Sequence, residues 1–429
     1  MTTSRTRWAA RLIVAQVLSA IGVGAAAQSK PGATLTLDAA LELARSSSPV
    51  LRSATLGVTE AAGALTQAAV LLVDNPEIAV RGGRRSGPTG QDSFGTEFEV
   101  GLEQRLEVAG QRARRMNVAQ AGVEVARADA DDASRLVELA VATSFWEGLA
   151  AGERVALAEE NENLAEGLLD VARRRVDAGL GTPLEINAAT VRLAEARRLR
   201  LTAEAERRAS ITRLRSYLGA ELPDGVTLEG ELPEAGPVAI EEAVLERALA
   251  GRPDLRAEAL RMEGAAAAAR LAGAESWPDV SIMASMQREE GTDLLTAGLR
   301  IPLSLFNRNQ GGRAAAAAAR ERATWEREAV ALRVTADALT AVAFYEQARA
   351  AAELYDADVL VAMQETATLM QFAVEAGELP IADVLVIQAE LLAGRLGYVE
   401  ARLELATAGA RLRAAVGIPQ STDIQEAIR

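Results

Sequence analysis

Any chemistry in this chain of 429 residues would have to come from carboxylates, arginine and four tyrosines, because the sequence holds no Cys and no His. Thiolate and imidazole nucleophiles, a His general base and the usual zinc sites are excluded together, and a Ser-His-Asp arrangement falls with them. Lysine chemistry shrinks to one residue, Lys30. No Gly-rich phosphate loop is present, so neither a cofactor nor a bound metal is expected. Two carboxylates facing across a cleft could still cleave a glycoside, but Glu and Asp here are scattered along helical runs that supply no cleft. The chain reads as no enzyme. Its formal net charge of −14 also argues against a nucleic-acid partner, which would call for a basic stripe.

With catalysis set aside, the informative stretch is 94–115. Phe98, Val100 and Leu102 alternate with Glu97, Glu99, Gly101 and Glu103, the period of a strand with one oily and one wet face. After Gly110 the period lengthens into a helical run rich in Ala, Glu and Arg. The same switch recurs near residue 300, where Leu295, Ala297, Leu299 and Ile301 alternate before Pro302, Gly311 and Gly312 punctuate the entry to a second helical run. Two such transitions indicate a duplicated unit.

Residues 1–27 form a secretory signal. Arg5, Arg7 and Arg11 precede an apolar run over 12–23 and the small residues Ala25, Ala26 and Ala27. Cleavage there would remove three Arg and no acid, bringing the mature charge near −17. With no Cys, no acylated Cys can follow the cut. No later stretch reaches the ~18 apolar residues of a spanning helix, so the mature chain could cross a membrane only as a closed barrel.

The repeats are 28–220 and 239–417, separated by a Pro- and Gly-rich acidic connector at 221–238 and followed by a polar tail at 418–429. Superposing Pro49 on Pro253 pairs Leu41 with Leu245, Leu51 with Leu255 and Arg52 with Arg256. Each repeat offers two strands, about 77–84 and 96–105, then about 279–287 and 294–302. A helical hairpin follows each pair, about 111–218 and about 312–416. The runs 111–177 and 312–375 contain no Pro, and each would extend on the order of 100 Å. Both stop at matching turns, Gly179-Leu180-Gly181-Thr182-Pro183 and Gly377-Glu378-Leu379-Pro380, where Gly ends one helix and Pro restarts the next. An apolar seam at Leu385, Ala389, Leu392, Leu396, Val399, Leu403, Ala406 and Ala410 is expected to pack on the incoming stripe Leu360, Met363, Ala367, Met370 and Val374.

The signal, the duplicated helix–hairpin–long-helix unit and the Gly-to-Pro turns resemble the outer-membrane-factor (TolC-like) family of efflux and secretion channels. The phrases at 104–115 and 302–311 look most like its heavy-metal (CzcC-like) branch. The resemblance implies a mainly α fold with a membrane β-barrel: a homotrimer closing a 12-stranded barrel in the outer membrane of a Gram-negative bacterium, above a periplasmic α-barrel. It implies as partners a periplasmic adaptor (membrane fusion protein), an inner-membrane transporter of the resistance-nodulation-division type and outer-membrane lipid. The function expected is a passive exit duct, with metal cations as cargo. Drug efflux and type I secretion are the alternatives within the family, and a periplasmic coiled-coil scaffold without a pore is the alternative outside it. In the family, acids just beyond the second hairpin turn ring the narrowest point. Asp383 occupies that position here and Glu185 its equivalent in the first repeat. The tips, at Gly179, Leu180, Thr182, Pro183, Gly377, Leu379, Pro380 and Ile381, would dock the adaptor. Some members carry a basic residue two positions after the turn Gly to latch the acids. That position is Leu379 here, with Arg173, Arg174 and Arg175 as candidates for its part.

Overall fold

The computed structural model describes residues 34–85, 95–219, 222, 226–289, 291–376, 379–423 and 425. The signal expected at 1–27 and loop residues 86–93 lie outside them. The first repeat runs β1 (Thr34–Leu35), α1 (Leu37–Ser47), α2 (Pro49–Ala68), β2 (Glu77–Arg85), β3 (Gly95–Leu106), α3 (Gln111–Asp177) and α4 (Pro183–Leu218). After β4 (Thr227–Leu228), the second runs α5 (Glu241–Gly251), α6 (Pro253–Ala274), β5 (Val280–Glu289), β6 (Thr292–Arg300), α7 (Gln310–Glu353), α8 (Ala357–Ala376) and α9 (Ile381–Val416). β1 and β4 pair in parallel, clipping the start of the described chain to the connector.

The four longer strands form one antiparallel sheet in the order β2-β3-β5-β6. The repeats meet at its centre, where Val100 stands opposite Met286. Period-two side chains sort the sheet into two faces. Ile78, Val80, Phe98, Val100, Leu102, Ile282, Met286, Leu295 and Leu299 share one face, and all are exposed. The other is polar. It carries the Arg81–Glu99 pair at 3.3 Å, Arg300 bound to both oxygens of Glu103 at 2.8 and 2.6 Å, and Ser285 against Thr296 at 2.8 Å.

Here the expected architecture is corrected. The described residues form a mostly helical fold with two small open sheets, and β2 and β6 are free edges rather than neighbours in a closed β-barrel. Strand number is the physical reason. The four strands are the number expected of one copy, and because small closed barrels take about eight, the sheet of a single chain stays open.

α3 is a single helix of 67 residues. The run expected from 312 to 375 is instead two helices. Leu354 caps α7, and Asp356 Oδ1 accepts the Val359 N–H at 2.9 Å to start α8. An Asp cap restarts a helix as well as Pro does, without the Pro that would have marked it. Part of the seam expected on α9 meets α3 rather than α8, and a second apolar face outside that seam meets α7. Val399, Leu403 and Ala406 pack with Ala150 of α3, while Leu405, Ala408 and Leu412 face Val334, Val342 and Tyr345 of α7. α9 lies between the repeats, so it is apolar on two sides.

Each repeat has its own core. Leu41, Val141, Phe145, Leu214 and Leu218 fill the first, and Val244, Val334, Tyr345, Leu412 and Val416 fill the second. Both returning helices end on a left-handed Gly pressed against an elbow. A Cβ at Gly219 would strike Pro49 and the Ser47 carbonyl, and one at Gly417 would come within 2.8 Å of the Gly251 carbonyl. Only Gly closes both corners.

Candidate functional site

The candidate residues collect at the two helix-to-helix turns and at the two sheet-to-helix transitions. At the first tip, α3 winds off through Ala178, and Gly179 takes a left-handed φ of 72°. The Leu180 N–H donates to the Arg175 carbonyl at 2.8 Å, and the Gly179 N–H to that of Val176 at 2.9 Å, satisfying the last carbonyls of the helix. Gly181 sits so close to the Arg175 backbone that a Cβ there would lie 3.1 Å from the Arg175 Cβ. Thr182 is extended, and Pro183 opens α4. Leu180 is 73% exposed, and Thr182 and Pro183 are exposed beside it.

Glu185 points back across this turn. Its Oε2 lies 3.7 Å from Arg175 Nε, so Arg175 is the member of the Arg173–Arg175 trio that meets an acid of the following helix. Arg173 lies 3.5 Å from Asp170 on its own helix.

At the second tip, Gly377 lies outside the described residues. Pro380 precedes α9 in an extended conformation, and its carbonyl accepts the N–H groups of Asp383 (3.0 Å) and Val384 (3.2 Å). Asp383 is exposed on the first turn and has no ion-pair partner among the described residues. Ile381 is buried among Leu169, Ala189 and Leu193 of the first hairpin, and Leu379 is half-buried against Leu168, Met370 and Val384. The second tip thus leans on the first.

The transitions from sheet to helix match in detail. Gly110 caps α3 at φ 71° and Asn309 caps α7 at φ 53°. The Gln111 side chain accepts the Ala109 N–H at 2.7 Å, and the Gln310 side chain accepts that of Arg308 at 2.8 Å. Pro302 lies in the irregular segment after β6. Gly311 and Gly312 are in the first turn of α7, where a Cβ on Gly312 would collide with the Asn309 side chain. The left-handed residue itself is Asn309, a role Asn tolerates better than most side chains.

Two contacts between the hairpins had no signal in the sequence. Gln388 of α9 donates to Asn161 Oδ1 of α3 at 3.1 Å, with both side chains buried. Arg395 reaches both oxygens of Glu160 at 2.8 and 2.9 Å. Isolated amides in a helical run look like surface residues until a second helix covers them. Nearer the sheet, burial pushes the Glu153 carboxyl up, against the opposing pull of Arg402.

The expectation of an exit duct for metal cations is corrected as well. The sheet of the single chain is open and encloses no channel by itself. No helix among the described residues is long and apolar enough to cross a membrane, as the sequence led one to expect. What the chain presents is a pair of tandem helical hairpins on an amphipathic sheet, and known proteins share that arrangement. The family model "Outer membrane efflux protein" matches residues 40–220 and 244–418. The cobalt-zinc-cadmium resistance protein CzcC of Cupriavidus metallidurans is 28% identical over 369 residues, spanning 85% of this chain and 86% of that protein. A membrane protein from Pseudomonas aeruginosa superposes with a TM-score of 0.75 at 17% identity, covering 90% of this chain and 92% of that one. The Campylobacter jejuni CmeC outer membrane channel does so with a TM-score of 0.73 at 15% identity, covering 91% and 88%. These two likenesses concern the fold. The chain belongs to the outer membrane efflux protein family, the TolC-like outer-membrane factors of tripartite efflux systems, with CzcC supporting the heavy-metal branch, and its family's work is transport rather than catalysis.

Proposed function

We propose that the chain is a subunit of an outer-membrane efflux channel of the drug-efflux or type I secretion kind. It works as a homotrimer with a periplasmic adaptor and an inner-membrane transporter. The observation that carries this reading is the pair of hairpins, standing side by side through α3 and α9, each ending in a Pro-restarted tip. Leu180, Thr182, Pro183 and Pro380 are the exposed surface offered to the adaptor. The free edges of β2 and β6 favour neighbouring copies, since unpaired strand edges seek partners. The exposed apolar face of the sheet suits outer-membrane lipid. Without His or Cys the chain offers a metal cargo only hard oxygen donors and thioethers, which favours the other cargoes. Asp383, together with Glu185, supplies an acidic constriction near the tips, where like carboxylates brought together by symmetry attract cations.

Deletion of the gene in its host tests the cargo. The expected result is lowered tolerance to lipophilic drugs, or loss of a secreted protein, restored by complementation. Loss of metal tolerance alone would overturn it. Asp383→Ala in planar bilayers is expected to lower cation selectivity, and unchanged selectivity would remove Asp383 from the constriction. The open sheet of the single chain favours a second reading, a periplasmic helical scaffold without a pore. Recovery of the protein in the periplasmic rather than the outer-membrane fraction would establish that one instead.

A further inference from the structure

Where α9 lies on α3, the seam between the two hairpins is apolar above and below its middle. Ala150 packs there with Val399, Leu403 and Ala406, and Leu168 packs with Val384. Between those stretches sits one buried amide pair. Asn161 is 4% exposed and Gln388 3%. Gln388 Nε2 donates to Asn161 Oδ1 at 3.1 Å and to the Asn161 carbonyl at 3.4 Å. That settles the orientation of the amide, since the opposite one would set oxygen against oxygen.

The pair is a poor stabiliser. With Nε2 committed to Asn161, Gln388 Oε1 is buried without a protein partner among the described residues. Both side chains line a cavity of about 20 Å³, enough for one water, so the oxygen is met only by holding a solvent molecule in place. Two leucines would carry neither cost.

What the pair does set is register. One turn away on α3 stand Leu157 and Ala158 on one side, and Leu164 and Ala165 on the other. One turn away on α9 stand Val384 and Leu385, then Leu391 and Leu392. A slide of α9 along α3 by one turn, about 5.4 Å, keeps aliphatic groups on aliphatic groups, because a helical seam repeats with the turn. The amides do not survive it. In either direction each is buried against aliphatic side chains with its hydrogen bonds unmade. The ion pairs along the rim are weaker guides. Glu160 is 51% exposed beside Arg395, and Glu400 is 52% exposed beside Arg154. Exposed pairs on long side chains contribute little.

We propose that the Asn161–Gln388 pair is a register pin, selecting from the alignments the apolar seam allows the one that sets the second tip beside the first. Ile381, on the same helix as Gln388, reaches its seat among Leu169, Ala189 and Leu193 in that alignment. Asn161 and Gln388 are positioning residues for the tips. The inference concerns a single chain and stands apart from cargo and copy number.

The sequence holds no Cys, so spin labels attach only where a Cys is introduced. Asn163→Cys on α3 and Glu404→Cys on α9 replace exposed residues well apart along the seam, so a slide changes their separation almost in full. Double electron–electron resonance is measured on the full chain, diluted with unlabelled chain so that the distance read is internal to one copy. One narrow peak is expected. Asn161→Leu with Gln388→Leu should add a second peak displaced by about one turn, ~5 Å, while the thermal midpoint does not fall. Exchanging the amides, Asn161→Gln with Gln388→Asn, should restore the single peak, which a change of packing alone would not do. Glu160→Gln with Arg395→Gln should keep it. A single unshifted peak in the dileucine variant overturns the pin, and so does splitting in the ion-pair variant alone. If the dileucine variant does not fold, Gln388→Leu alone reads the same point: it removes the donor, so a split peak is expected and an unsplit one overturns the proposal.

Discussion

The two helical hairpins share one plan but are fastened differently. In the first, α3 is unbroken and α4 is tied to it by charge. Arg197 reaches Glu162 at 3.1 Å and Glu166 at 2.6 Å, Arg200 reaches Glu162 at 2.5 Å, and Arg213 meets Glu147. In the second, the incoming helix is broken before Ala357, and no ion pair joins α8 to α9 among the described residues. Gly394 and Gly397 instead seat Met363 and the Tyr355 hydroxyl, and Met370 packs against Val384. Val361, Leu369 and Phe372 of α8 remain exposed. A duplicated sequence has therefore diverged toward one stiff arm, stapled by directional pairs, and one pliable arm held by small residues and adaptable methionine.

The largest test of that contrast removes the anchor of each core. Phe145 and Tyr345 are each 1% exposed. Phe145→Ala and Tyr345→Ala should each cost about 3–5 kcal/mol, read by denaturant unfolding. Hydrogen exchange should place the loss in the first repeat for Phe145→Ala and in the second for Tyr345→Ala. Equal loosening of both repeats by either variant would mean that the arms are not separate.

Gly397→Leu comes next. It fills the seat of Tyr355, and such overpacking costs about 1–3 kcal/mol. Exchange should rise in α8 while α3 and α4 stay protected. Asp356→Ala removes the cap that restarts the helix after the break, at about 1 kcal/mol. Circular dichroism should then show a small helix loss, and the first turn of α8 should fray.

The smallest effect is acid loosening of the stiff arm. Hydrogen bonds from Arg200 and then Arg197 outweigh desolvation and hold the Glu162 carboxyl below its usual value. A carboxyl with a lowered folded pKa stabilises above its unfolded pKa, about 4.3, and that contribution disappears as pH falls through the folded value. Proteolysis between α3 and α4 should therefore quicken below about pH 4. The α8/α9 pair, fastened without ion pairs, should show no matching step.

Local periodicity carried much of this fold. Phe98, Val100 and Leu102 marked a strand, and Gly179 with Pro183 marked a stop and restart, because both signals lie in neighbouring residues. The break at Asp356 escaped because its cap is a common acid with no Gly or Pro beside it. Asn309 gives no such signal, since Gly is the residue that ordinarily marks a left-handed cap and two glycines follow it. The α9 seam was assigned to one neighbour because periodicity reports that a face is apolar and not which helix covers it. The four strands were legible in their alternation, but a closed barrel was expected from the resemblance and not from the alternation, and the chain itself shows an open sheet. At the tips, the offset of Glu185 and Asp383 from their turns was legible, and so was the Arg173–Arg175 trio beside the first turn, though not which of the three meets Glu185. The pairing of Asn161 with Gln388 depends on how helices distant in sequence come together.

The short parallel pairing of Thr34–Leu35 with Thr227–Leu228 sets an order of events. Its two partners flank the whole first hairpin, so the knot cannot be tied until α3 and α4 have been made and folded back. Loop closure of that length is slow compared with helix formation. Once tied, it fastens the leading end of the repeat, and a protease or an unfoldase pulling from that end must first undo a bond made with residues synthesised long afterwards.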